Sequence, residues 1–171
     1  QKMMQLFEKI ENRHWNHKVG IPERISFLSM YQVGNVHMLE IERRWRESKI
    51  SRSMAAPIGM KRDGELFYLD IHEKYHGCHG LVAGMTGSGK SEFLQEYILS
   101  LMLNYSPDDI AFILIDFKGG DMARPFLKAP HVSATISNLS GNMLHRAKVS
   151  LEAEIQNRQK LFNATAQELG I

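Results

Sequence analysis

Apolar positions change their spacing along this chain, and each change marks an element. Met3, Leu6, Phe7 and Ile10 recur at helical spacing and predict a short N-terminal helix, interrupted afterwards by Gly20 and Pro22. Val36 and Leu39 predict a second helix over about 36–48. From Pro57 the pattern becomes β. Residues 58–61 and 65–71 flank Asp63-Gly64, a dipeptide suited to a hairpin turn. Leu81-Val82-Ala83 predicts a further strand, followed by a glycine-rich stretch and then a helix with Leu94, Ile98 and Leu101 at helical spacing and Tyr97 beside them. Ser106-Pro107-Asp108-Asp109 reads as a turn. Residues 110–115 are apolar throughout, as in a parallel strand buried on both faces. Pro130-His131-Val132 opens another extended piece that ends near Asn138. Ser140 suits the N-cap of a long helix running to about Phe162, with Leu144, Ala147, Leu151 and Ile155 on one face. Lys148, Glu152, Asn157 and Lys160 make its solvated face.

The switch near Ala56-Pro57 divides the chain into an N-terminal helical linker, 1–56, and an α/β region, 57–171. A length of 171 residues suits one domain with an appendage, and an apolar content of 43% suffices for a core. The formal net charge of +2 is too small to signal nucleic acid. No apolar run approaches membrane-spanning length, so a soluble stretch is expected, with any membrane anchor outside it. A single cysteine, Cys78, excludes an internal disulfide and fits a reducing compartment.

The candidate chemistry sits in Gly84-Met85-Thr86-Gly87-Ser88-Gly89-Lys90-Ser91, which fits the phosphate-loop pattern G-x-x-x-x-G-K-[ST]. Gly87 and Gly89 let the backbone turn its amides around a phosphate, and the following helix points its positive end at the same place. Lys90 is expected to reach the β- and γ-phosphates of ATP, and the Ser91 hydroxyl to hold Mg²⁺. Asp116 closes the apolar run at 110–115. Ligands of open α/β sheets gather at such strand ends, so Asp116 and Lys118 are candidates for the edge of the nucleotide pocket. Capping its own loop is the equal alternative for Asp116. The run 113–116 looks like a magnesium-binding Walker B strand, but it follows the phosphate-loop helix after only a short turn. No later apolar run ends in an acidic pair, so a base that orients water is not visible.

Other polar groups have plainer readings. His72, His76, Cys78 and His79 match no standard zinc spacing, and a linker packing over the base, with Tyr75 or a histidine stacking, is expected instead. Arg43, Arg44 and Arg46 suit a solvated face better than a phosphate site. Trp15, Trp45 and the ten methionines offer adaptable apolar surface, most of it expected in the core.

The series HGLVAGMTGSGKSEF, FILIDFKGG, PHVSATISNL and EIQNRQKLF resembles the FtsK/SpoIIIE group of motor ATPases, over about 58–162. Within that group it is similar to the EssC (YukB, EccC) branch, the membrane-anchored ATPases of type VII secretion in Gram-positive bacteria. DNA-pumping members typically carry Asp-Pro-Lys where this chain has Asp116-Phe117-Lys118. The upstream HEKYHGCHG also resembles that branch, with Cys78 replacing a usual proline. The resemblance implies a P-loop NTPase of RecA/FtsK-like fold: a parallel sheet flanked by helices, incomplete here on its C-terminal side, in the first of several ATPase domains. It implies Mg²⁺ and ATP as cofactors and Lys90 as the catalytic cation. It also implies a hexameric ring of copies, small helical-hairpin secreted proteins and other secretion-system membrane proteins as partners, and a cytoplasmic location beside the cell membrane. ATP hydrolysis is then expected of the whole protein, and ATP binding without efficient hydrolysis of this stretch alone. A DNA translocase of the same fold and a non-hydrolysing regulatory module are the alternatives.

Overall fold

The computed structural model describes residues 25–116, 120–137 and 141–170. The expected helix over 3–10, Trp15, Lys118, Asn138 and the Ser140 cap lie outside these residues. The chain divides into two compact units, with the boundary between Ala111 and Phe112.

In the first unit, Ser26 caps helix α1 (Phe27–Met30) by accepting a hydrogen bond from the Ser29 amide, and Met30 is fully buried. The single helix expected over 36–48 is broken. A 3-10 turn (Val36–Leu39), capped by Asn35, ends at Glu40, which takes a left-handed φ of 49° before helix α2 (Ile41–Glu47) begins. A left-handed residue cannot continue an α-helix. The break buries Leu39, and the Arg44 Nε donates to the carbonyl of that leucine at 2.7 Å.

The hairpin appears as expected, with shifted ends. Strands β1 (Ala55–Met60) and β2 (Leu66–Asp70) pair antiparallel, with Ala55 opposite Asp70 and an irregularity between Pro57 and Gly59. Pro57 has no amide for the ladder, which suits that irregular position. Gly64 turns the chain with a φ of 85°. The expected boundary at Ala56-Pro57 falls inside β1. Helix α3 (Lys90–Asn104) follows the glycine-rich loop and supplies Ile98, Leu101, Met102 and Leu103 to the core.

Leu81-Val82-Ala83 is not a strand. Residues 80–85 carry no regular structure, and Leu81 is 94% exposed. Alternating or apolar sequence makes a strand only when a neighbour completes its hydrogen-bond ladder, and among the described residues none does.

In the second unit, β3 (Phe112–Ile115) and β4 (Val132–Ile136) pair in parallel, extended by hydrogen bonds from the Phe112 amide to His131 and from the Asp116 amide to Ile136. The connection holds a short 3-10 turn (Arg124–Phe126) whose Phe126 is buried. Burial on both faces, expected for 110–115, is not found in this unit. Leu114 is buried, whereas Ile113 and Ile115 are exposed. Helix α4 (Gly141–Leu169) outruns its expected end at Phe162. Its apolar face is only partly covered: Leu144 and Ile155 are exposed, Ala147 and Leu151 half-buried.

Candidate nucleotide-binding site

The phosphate-loop residues form a loop closed on itself. The Ser88 amide donates to the Met85 carbonyl at 3.2 Å, and Gly87 and Gly89 have φ values of 80° and 85°. A side chain at Gly84 would place its Cβ 2.5 Å from the Ser88 Oγ, closer than any real contact allows. A larger residue at 84 would have to displace the Ser88 side chain, and glycine is favoured at 87 and 89 by backbone conformation.

Lys90 opens helix α3 and its ammonium turns back over the loop. Its Nζ donates to the carbonyls of Gly84 at 2.7 Å and Met85 at 2.6 Å, with the Ser88 Oγ at 3.5 Å. Two carbonyls thus hold the charge at the loop rather than leaving it to swing on a long stem. Gly89 is the N-cap and brings no side-chain acceptor, and the first intrahelical bond runs from Phe93 to Gly89. The earlier amides of the turn have no intrahelical partner and carry the positive end of the helix dipole. Ser91 is exposed in that first turn. A held ammonium, first-turn helix amides and a hydroxyl within two consecutive residues of one glycine-rich loop are a donor set that fits a magnesium-bound polyphosphate.

Asp116 stands at the carboxyl end of β3, in the second unit. Its carboxylate accepts a hydrogen bond from the Met122 amide at 3.1 Å, so it ties down the loop that follows the strand.

The histidine-rich stretch packs as a turn. His76 accepts from the Asp70 amide through Nδ1 at 2.9 Å and donates its own amide to the Asp70 carbonyl. His72 accepts from the Lys74 amide, and its ring meets Tyr75 edge-on. Tyr75 stays exposed, as does Cys78. The centre of this turn is Asp70, which the sequence reading missed. Its buried carboxylate accepts from the Ser53 hydroxyl at 2.6 Å and from the amides of Met54 and His72, both at 2.9 Å. Burial pulls this carboxyl upward, but the three donors outweigh it and hold it below its ordinary value. An aspartate closing an otherwise apolar strand is a turn former, the one signal that marked it.

The arginines separate. Arg43 pairs with Glu40 and Glu47, and Arg46 with Glu42, all on the exposed face of α2. Arg44 instead lies over the Tyr31 ring and donates to Asn104 at the end of α3.

A family model, the FtsK/SpoIIIE family, matches residues 40–168. The chain belongs to the FtsK/SpoIIIE family. Its match starts at Glu40, the residue that breaks the expected helix, and takes in α2, the hairpin, the phosphate loop and both strands of the second unit. Among FtsK/SpoIIIE relatives, the ESX secretion system protein YukB of Bacillus subtilis is 49% identical over 157 residues, 88% of this chain and 10% of that protein. The type VII secretion system protein EssC of Staphylococcus aureus is 49% identical over 145 residues, 85% of this chain and 10% of that protein. The chain therefore spans about a tenth of the length of these relatives. The cytoplasmic domain of the Thermomonospora curvata type VII secretion ATPase EccC matches the structure with a TM-score of 0.74 at 35% identity, over 81% of this chain and 17% of that one.

Proposed function

We propose that this chain is the ATP-binding part of a type VII secretion motor ATPase with a P-loop NTPase fold. The 84–91 loop carries the reading: left-handed Gly87 and Gly89, an ammonium held on the Gly84 and Met85 carbonyls and the start of a helix lie within eight consecutive residues, as an anion site requires. The names of YukB, EssC and EccC supply the secretion context. Residues 57–171 are assigned to the partial ATPase domain and 1–56 to its linker.

In this assignment the loop amides and Lys90 bind the β- and γ-phosphates, and Ser91 would hold Mg²⁺. Bound Mg²⁺ supplies charge neutralisation on the phosphoryl oxygens. Lys90 adds a second positive charge, held by Gly84 and Met85 where charge builds in the transition state. The chain alone binds ATP without efficient turnover, and a base from elsewhere in the whole protein completes the site. Hydrolysis by a ring of copies, cytoplasmic and anchored at the membrane, then moves small helical-hairpin proteins together with other components of the secretion system.

Calorimetric titration with Mg-ATP tests the reading. Saturable binding by the wild type and none by Lys90→Ala is the expected pair of results. Equal binding by both would remove the loop assignment. Phosphate release by the 171-residue chain at an ordinary motor rate would overturn the assignment of binding without turnover.

A further inference from the structure

The carboxyl end of the phosphate-loop helix is finished by other parts of the chain. Helix α3 ends at Tyr105 in an extended conformation, with no left-handed glycine and no basic residue in its last turn. Its final carbonyls therefore need partners from outside. The linker provides them. Trp45 donates its indole N–H to the Met102 carbonyl at 3.0 Å, and Ser48 donates its hydroxyl to the Asn104 carbonyl at 2.6 Å. Arg44 donates to the Asn104 side chain at 3.1 Å and brings positive charge to the negative end of the helix. The Asn104 amide in turn donates to the Tyr31 hydroxyl and the Ser100 carbonyl, and the Tyr31 hydroxyl meets the Ser100 hydroxyl at 2.6 Å.

One rigid helix therefore has the phosphate loop at its start and the linker at its end. Fifteen residues at 1.5 Å per residue separate them by about 22 Å. Since Lys90 is both the loop cation and the first residue of α3, any tilt or fraying of the helix moves the ammonium against Gly84 and Met85. We propose that Arg44, Trp45 and Ser48 are positioning residues for the phosphate loop, so that docking of the 41–48 linker and nucleotide binding are thermodynamically coupled. This rests on the ATP-binding reading. In the whole protein it makes the linker a route by which whatever contacts residues 41–48 sets the nucleotide affinity of this site.

The test uses the 171-residue chain with Arg44→Ala, Trp45→Phe and Ser48→Ala, the last two removing one hydrogen bond each. Asp63→Ala, which loses its bond to the Glu65 amide at the hairpin turn, is the control for general destabilisation. Affinity for Mg-ATP is expected to fall about tenfold in the linker variants, within the usual range for coupled sites, and to stay unchanged in Asp63→Ala at matched thermal stability. By reciprocity, Mg-ATP should slow hydrogen exchange at the amides of 41–48 in the wild type. Wild-type affinity in all three linker variants, or linker exchange indifferent to nucleotide, would overturn the coupling and leave the binding site standing. No binding by the wild type would overturn the nucleotide reading and the coupling with it.

Discussion

Asp70 shows how one side chain organises a turn. Its carboxylate gathers the Ser53 hydroxyl and two backbone amides, and its folded-state value lies below its unfolded one of about 3.9. A carboxyl lowered on folding contributes stability that is complete above the unfolded value and disappears as pH falls through the folded value. Chemical denaturation between pH 5 and pH 2 should therefore show a larger loss in the wild type than in Asp70→Asn. Parallel curves for the two proteins would remove Asp70 from that role. Tyr97 is the opposite case. Its buried hydroxyl has no hydrogen-bond partner among the described residues, and burial, with the charges of Asp70 and Tyr105, pushes it up to about 12. An unsatisfied buried hydroxyl costs about 1–3 kcal/mol, so Tyr97→Phe should leave stability unchanged or raise it. A loss above about 1 kcal/mol in thermal unfolding would contradict this. Residue chemistry was legible where the requirement is local. Gly87 and Gly89 take the left-handed backbone that a tight glycine-rich loop needs, and Lys90 folds back onto it, because both features lie within a few consecutive residues. Arg44 was not legible, because its partners Tyr31 and Asn104 lie far away in sequence and nothing in a run of three arginines separates it from its neighbours.

Among elements, the contrast lies between what the chain decides alone and what a neighbour decides. The Asp63-Gly64 hairpin and helix α3 follow from turn chemistry and helical spacing. The strand expected at 81–83 depends on a ladder partner, which apolar character by itself cannot supply. The helix expected over 36–48 is divided because burying Leu39 and freeing its carbonyl for Arg44 outweigh continuity. That division has a backbone cost, since Glu40 is a non-glycine residue with a φ of 49°, and Gln32, after α1, has one of 54°. Left-handed backbone costs about 1–2 kcal/mol in residues other than glycine. Gln32→Gly removes this strain, against the greater chain entropy of glycine when unfolded, and should raise stability by about 0.5–1 kcal/mol. Glu40→Gly should gain less, because it also loses the ion pair with Arg43, an exposed contact of small value. Differential scanning of both variants beside the wild type checks the order, and a lower midpoint in Gln32→Gly would show that its side chain contributes more than its conformation costs.

Across the whole molecule, charge is distributed in a way that bears on cargo. The net formal charge is +2, and five of the cations among the described residues are matched by carboxylates close by in sequence. Arg43, Arg46, Lys61, Lys148 and Arg158 each sit within 4.0 Å of a carboxylate three or four residues away. Such pairs add little to stability, but they break up the continuous positive field that a phosphate backbone requires. A DNA-tracking surface neutralises several phosphates at once and loses affinity steeply as salt rises, by about 10³–10⁵ between 50 and 200 mM for six to ten contacts. This chain should therefore show no saturable binding to duplex DNA in fluorescence anisotropy at about 0.15 M salt and protein up to about 10 μM, where the tighter non-specific binders already saturate. Adding duplex DNA should leave its affinity for Mg-ATP unchanged. Micromolar binding that weakens steeply with salt would instead assign nucleic acid as the cargo, and the secretion context taken from YukB, EssC and EccC would no longer describe this member of the family.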